Sequence, residues 1–212
     1  QSQLMSYYEA GFATYGIPVA QILLTEDDFS MRHRYLSLRT TLSKLLEFGV
    51  VPIINQNDTV STIELNDILA GLQVSFSDND KLSALVSSEL DADLLILLSD
   101  IDGLYTANPK ENKDAEFIKE VTCVNNNILG LGTDASEGGR GGMKTKLEAA
   151  KLVTRFGGKV LIANGKIPYV INKIFNAEEL GTMFIPTDEN LSGKKRWIGY
   201  ATNVLGKLVV NE

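Results

Sequence analysis

LLILLSDIDGLYTANP, Leu94 to Pro109, opens on the longest apolar run of the chain, Leu94 to Leu98, and turns polar at Ser99 and Asp100. An unbroken apolar run that stops in polar residues and a glycine reads as a strand buried on both faces. Such a strand belongs in a parallel sheet, and this one is expected to be central. Two further runs end in the same manner. Val50 to Ile54 leads into Asn55, Gln56, Asn57 and Asp58, and Leu72 to Phe76 leads into Ser77, Asp78, Asn79 and Asp80.

Working outward, helical spacing fills the gaps between the strands. Leu4, Tyr7, Tyr8, Ala10 and Phe12 form a first helix that Gly16 and Pro18 end, and Val19 to Leu24 is a strand. Met31, Tyr35, Leu38, Leu42, Leu45 and Leu46 recur at three and four, which predicts an amphipathic helix stopping near Gly49. Pro52 inside the next strand removes one ladder donor. Residues 61–71 read as irregular. A helix is expected from about Lys81 to Leu90, another from about Gly142 to Arg155, and a strand at Lys159 to Ala163. Residues 101–127 read as a polar insertion with a small hairpin around Phe117 to Val121. Strand and helix alternate through most of the chain, so the expected fold is a three-layer α/β/α sandwich with a mainly parallel central sheet.

Composition limits the partners. The chain has 212 residues, 44% of them hydrophobic and 22% charged, enough to fill one α/β core. Its net charge of −7 speaks against nucleic acid or an anionic membrane as a partner, since both need a basic surface. No run approaches the roughly 20 apolar residues of a membrane helix, and no signal-peptide pattern opens the chain. The single cysteine, Cys123, allows no internal disulfide, which fits a cytoplasmic location. The single histidine, His33, lies in a basic helical stretch and reads as a surface residue.

GGRGGMKTKLEAAKL, Gly138 to Leu152, sets four glycines ahead of two lysines and a helix. It nearly matches the phosphate loop G-x-x-x-x-G-K-[ST], but Met143 separates Gly142 from Lys144, so that reading fails on spacing. A glycine-rich helix start still offers its amides to phosphate oxygens. Three strands that each end in Asp or Asn place polar groups where open α/β sheets bind ligands. Asp and Asn also cap helices, and Asp78 or Asn79 would serve equally as a cap for the helix at Lys81. Together with a lysine, the three strand ends suit phosphoryl transfer, which needs positioning and charge stabilisation rather than a Ser/His/Asp constellation. No spacing of Cys or His suggests a bound metal. Magnesium carried in on nucleotide phosphates, with few protein ligands, is expected.

VVPIINQNDTVS, FSDNDKLSALVS, LLILLSDIDGLYTANP and GRGGMKTKLEAAKL, in that order, resemble the glutamate 5-kinase branch of the amino acid kinase family, as do YGIPVAQILLT before them and VLIANGKIP after them. The resemblance runs from about Ser2 to Pro186. It implies transfer of the γ-phosphoryl of ATP to the side-chain carboxylate of L-glutamate, the first step of proline biosynthesis. It also implies a homo-oligomer, dimer or tetramer, with proline as a feedback inhibitor. Carried over by motif, Asp58 and Asn79 hold glutamate, with Asn55 and Asp78 beside them. Asp80 orients the charge-stabilising lysines, and Lys146 stabilises the phosphoryl group in transfer. Ser99, Asp100 and the segment Arg140, Gly141, Gly142, Met143, Lys144, Thr145 and Lys146 contact ATP. Other members, such as acetylglutamate or aspartate kinases, and a non-catalytic glutamate- or proline-sensing module stand as alternatives.

The resemblance also carries departures. The family's N-terminal lysine-bearing phosphate loop and its glutamate loop have no counterpart here, so the kinase domain, residues 1–190, is expected to lack its opening units and to be inactive alone. The approach LGTDASEGGRGG is longer than the family's and reads as a loop that orders on nucleotide. Residues 191–212, with Trp197 and a basic run, look like a linker into a C-terminal PUA-like domain.

Overall fold

The computed structural model describes residues 2–57, 79–109, 111–132 and 142–186. Among these, residues 2–57 belong to one compact unit and 79–186 to another. The strand expected at Leu72 to Phe76, the stretch 61–71 and the tail 191–212 lie outside the described residues.

The first unit runs α1 (Ser2–Ala13), β1 (Val19–Leu24), α2 (Glu26–Ser30), α3 (Arg32–Glu47), β2 (Val51–Gln56). β1 and β2 pair in parallel, from Val19 opposite Val51 to Leu24 opposite Gln56. α3 buries Tyr35, Leu38 and Leu42, the middle of the expected stripe, whereas Met31 and Leu46 at its ends stay exposed. It stops because Gly49 takes a φ of 72°, a left-handed value that costs a residue with a Cβ dearly. The Gly49 amide then donates to Leu46 O and the Val50 amide to Leu45 O, which satisfies the last carbonyls of the helix. Pro52 fits because Val51 and Asn57 donate to Pro18 O and Leu24 O on the β1 side. Alternate residues of a strand face one neighbour, so the nitrogen of Pro52 faces the opposite edge, where β1 asks for no donor. α2 was not foreseen. Its signal is Thr25 followed three residues later by Asp28, whose carboxylate accepts from the Thr25 amide at 2.8 Å.

The second unit runs α4 (Asn79–Glu89), β3 (Leu94–Ser99), β4 (Leu104–Tyr105), β5 (Phe117–Ile118), β6 (Glu120–Val121), α5 (Asn126–Gly130), α6 (Met143–Arg155), β7 (Lys159–Asn164), α7 (Val170–Phe175), β8 (Thr182–Phe184). The sheet order is β3-β7-β8-β6, with β3/β7 and β8/β6 parallel and β7/β8 antiparallel. In this order β7 and β8 lie inside, and among the described residues Leu94–Ser99 pairs with β7 alone, on one side. An apolar run reports that both faces of a strand are covered.

β7 shows why its run is continuous. Val160 and Ile162 point into a core with Leu147, Ala150 and Val153 of α6 and with Phe184. Leu161 and Ala163 point into a second core with Val170 of α7. With a period of two, one strand fills two cores, and helices lie on both faces: the three layers expected. The small hairpin expected around Phe117 to Val121 is not formed locally. β5 pairs antiparallel with β4, and β6 pairs parallel with β8. Only Lys119 separates β5 from β6, too short a link for even a two-residue hairpin turn. Among the described residues no helix is long and apolar enough to cross a membrane. His33 and Cys123 are both exposed.

Candidate functional site

Within the second unit, a cleft of about 380 Å³ opens at the carboxyl ends of β3 and β7. That volume falls in the range of small-ligand pockets. Its floor is the joint where the Gly165 amide donates to Ser99 O at 2.8 Å, holding the two strand ends together. One wall is the loop from Ser99 to Pro109, and the other is Leu131, Gly132 and the start of α6 with Gly142, Met143 and Lys146.

α6 is amphipathic, and its buried face carries Lys146, Leu147, Ala150, Val153 and Thr154. A lysine on the apolar stripe needs a partner, since an unpaired buried ammonium is costly. The partner is Asp80 in the first turn of α4, whose Oδ2 lies 3.0 Å from Lys146 Nζ. Thr145 Oγ1 stands 2.8 Å from the same carboxylate oxygen and 2.8 Å from Gly142 O. The pair thus ties α4 to α6 and sets the ammonium at the cleft. Lys144, two residues earlier, falls on the opposite side of the helix and is exposed.

The N-cap of α6 is Gly142, which supplies no capping side chain. The first amides of the helix have no intrahelical acceptor and carry the positive end of its dipole, an arrangement suited to phosphate. Gly132 lets the chain pass close to this turn. A Cβ built on Gly132 would stand 2.8 Å from Lys144 Cα and 2.9 Å from Lys144 N, closer than any side chain tolerates.

The loop wall is held from behind by Thr182 of β8. Its Oγ1 accepts from the buried Leu104 amide at 2.8 Å and donates to Ile118 O at 2.6 Å. One hydroxyl thereby fixes β4 and β5, and with them the lip that carries Tyr105, Asn108 and Pro109.

Of the residues singled out for ATP, the cleft is lined by Ser99, Asp100, Gly142, Met143 and Lys146, and not by Lys144 or Thr145. Arg140 and Gly141 lie outside the described residues, with the LGTDASEGG stretch before them. Of the residues singled out for glutamate, Asn79 is the exposed first residue of α4. Asn55 belongs to β2 of the first unit, where its Oδ1 accepts from the Gln56 amide. Asp58 and Asp78 lie outside the described residues. Sequence reasoning missed Asp102, Tyr105 and Asn164, which also line the cleft. Asn164 was within reach: VLIAN is a fourth apolar strand ending in a polar residue, as the other three do.

The cleft fits a nucleoside triphosphate in kind, with apolar surface from Leu104, Tyr105, Pro109 and Met143 and cationic or amide donors from Lys146 and the α6 start. Among the described residues no group of three or more His, Cys, Asp or Glu side chains gathers. Such a donor set fits a magnesium ion held by phosphate oxygens and water, with the exposed carboxylate of Asp100 on the cleft wall open to it.

Comparison with known proteins agrees with this geometry. The family model described as "Amino acid kinase family" matches residues 1–164. The chain is 44% identical over 213 residues to the glutamate 5-kinase of Thermoanaerobacter sp. (strain X514), covering 100% of this chain and 55% of that protein. It is 48% identical over 199 residues to the glutamate 5-kinase of Methanosarcina barkeri, covering 93% of this chain and 50% of that one. The chain therefore spans about half the length of the curated relatives it matches. Among solved structures, an isopentenyl phosphate kinase superposes with a TM-score of 0.58 at 25% identity, covering 86% of this chain and 66% of that one.

Proposed function

The chain belongs to the amino acid kinase family, and from that premise we propose that the full-length enzyme moves the γ-phosphoryl of ATP onto the side-chain carboxylate of L-glutamate. The observation that carries the reading is the buried Lys146–Asp80 pair at the mouth of a nucleotide-sized cleft.

The chemistry asks little of acid–base groups. A glutamate side chain is already ionised at neutral pH, so its oxygen attacks the γ-phosphorus with no proton to remove. The new P–O bond forms in line with the bond to the β,γ-bridging oxygen, which breaks and leaves its electrons on ADP. The products are glutamyl 5-phosphate and ADP. Charge on the phosphoryl oxygens is met by Lys146 and by the first amides of α6. Asp80 acts through Lys146 by holding its ammonium in place. Magnesium bound to the nucleotide would screen the phosphate charge. Ser99, Asp100, Arg140, Gly141, Gly142 and Met143 would contact ATP, with Lys144 and Thr145 at the rim of that set. Asp58 and Asn79 would bind the amino group and carboxylate of glutamate, with Asn55 and Asp78 supporting them.

On the same ground the enzyme would be a cytoplasmic homo-oligomer, dimer or tetramer, inhibited by proline. Residues 1–190 would form the kinase domain and residues 191–212 lead into a PUA-like domain. The test is ADP release by the full-length protein with ATP and a panel of acceptors: glutamate, aspartate, acetylglutamate and UMP. Hydroxylamine, which captures acyl phosphates, should trap the product only with glutamate. Turnover with another acceptor and none with glutamate would overturn the reading.

A further inference from the structure

Asn164 ends β7, and both halves of its side-chain amide are engaged. Its Oδ1 accepts from the Lys166 amide at 2.9 Å, and its Nδ2 donates to Asp102 Oδ1 at 2.8 Å. Asn164 is thus fixed in orientation, and it fixes Asp102 in turn across the joint of β3 and β7. Asp102 lines the cleft, and among the described residues its other oxygen, Oδ2, meets no protein donor. Asp100 lines the same wall but has only a 3.4 Å approach from Ser99 Oγ to steady it. One carboxylate of the cleft is therefore held in a single pose with one acceptor open.

A fixed anionic acceptor is out of place beside a triphosphate, which would repel it. The phosphate end of the cleft is already defined by Lys146 and the α6 amides. The base end has apolar surface in Tyr105, Ala107 and Pro109. What remains between them in a nucleotide is the sugar, whose hydroxyls are donors that suit a carboxylate oxygen. We propose that Asp102, oriented by Asn164, accepts a hydrogen bond from a ribose hydroxyl and makes the cleft selective for ribonucleotides over their deoxy forms. The proposal rests on the cleft being the ATP site. Asp102 would touch the substrate; Asn164 is a positioning residue. A site built to bond a hydroxyl discriminates strongly against the analogue that lacks it, because its own polar group is left unpaired.

The test is steady-state kinetics of the full-length enzyme with the magnesium complexes of ATP, 2′-deoxy-ATP and 3′-deoxy-ATP at saturating glutamate. The wild type should prefer ATP to one of the two analogues by about tenfold or more in kcat/KM. Asp102→Ala should lose that factor with ATP, keep its rate with the rejected analogue, and bring the ratio to about one. Asn164→Ala should lower the ratio part-way and leave the KM for glutamate unchanged, which a merely structural role would not do. A ratio of kcat/KM values does not depend on how much enzyme is folded, so partial unfolding leaves the result readable. An unchanged ratio in Asp102→Ala, or an altered magnesium requirement with the ratio intact, overturns the proposal and leaves the kinase reading standing. If the wild type turns over no ATP at all, the kinase reading falls and this one with it.

Discussion

Lys146 Nζ lies 3.0 Å from Asp80 Oδ2, joining α6 to α4 through side chains that are only 10% and 13% exposed. A charge pair so placed is either structural or catalytic, and kinetics separates the two. In the full-length enzyme, Lys146→Ala should lower kcat by about 10²- to 10³-fold, the usual cost of losing one group that faces developing charge. The KM values should move little. Lys144→Ala, on the exposed side of the same helix, should keep a near-normal kcat. Near-normal kcat in Lys146→Ala would remove that lysine from the mechanism.

Asp80→Ala leaves the Lys146 ammonium buried without its carboxylate. Removing one member of a buried pair costs about 3 kcal/mol or more. Chemical denaturation should show that loss, and kcat should fall alongside it. Asp80→Asn should recover much of the stability and little of kcat, because an amide can accept from Lys146 but does not balance its charge.

Asp58→Ala and Asn79→Ala should act on the other substrate, raising the KM for glutamate while the KM for ATP stays within about twofold. A rise in the KM for ATP instead would move these residues to the nucleotide.

Thr182→Val removes the one hydroxyl that serves Leu104 N and Ile118 O. Leu104 is 1% exposed, so its amide would be buried and unpaired at a cost of about 1–3 kcal/mol. Thermal unfolding should show the loss, and the KM for ATP should rise because the lip carrying Tyr105 and Asn108 loses its anchor. Thr182→Ser should restore both.

The Lys119 ammonium, 2.6 Å from Glu179 Oε2, holds the Glu179 carboxyl below the usual carboxylate range. A carboxyl lowered on folding adds stability above its unfolded pKa, and that contribution disappears as pH falls through the lowered value. Both groups are solvent-exposed, so salt should weaken the effect. An NMR titration of Glu179 should show the lowered pKa in the wild type and its return upward in Lys119→Met or at high salt.

Much of this was legible in the sequence, for reasons that single residues show. β1 could be read because a short apolar run marks a buried strand, and α3 and α6 because a 3.6-fold pattern marks a buried face wherever the partner lies. Lys146 could be separated from Lys144 only through resemblance; the physical reason, its place on the stripe of Leu147, Ala150 and Val153, emerged once the helix had a phase. The pairings of β5 and β6 were not legible. Two-residue strands carry no periodicity, and their partners, β4 and β8, are chosen by tertiary contacts such as the Thr182 hydroxyl. Asp102 was hidden for a similar reason: what singles it out is an amide from Asn164, 62 residues away.

The Thr182 anchor also sets an order of events during synthesis. Its partner Leu104 lies 78 residues earlier in the chain, so the cleft lip leaves the ribosome well before the residue that fastens it. At ordinary elongation rates of roughly 5–20 residues per second, that interval is on the order of ten seconds. Throughout it, the Leu104 amide has water as its partner in place of Thr182. Fastening of the lip is thereby timed to the synthesis of β8, and a nascent chain stalled before β8 carries the walls of the cleft without the fastening that makes them one.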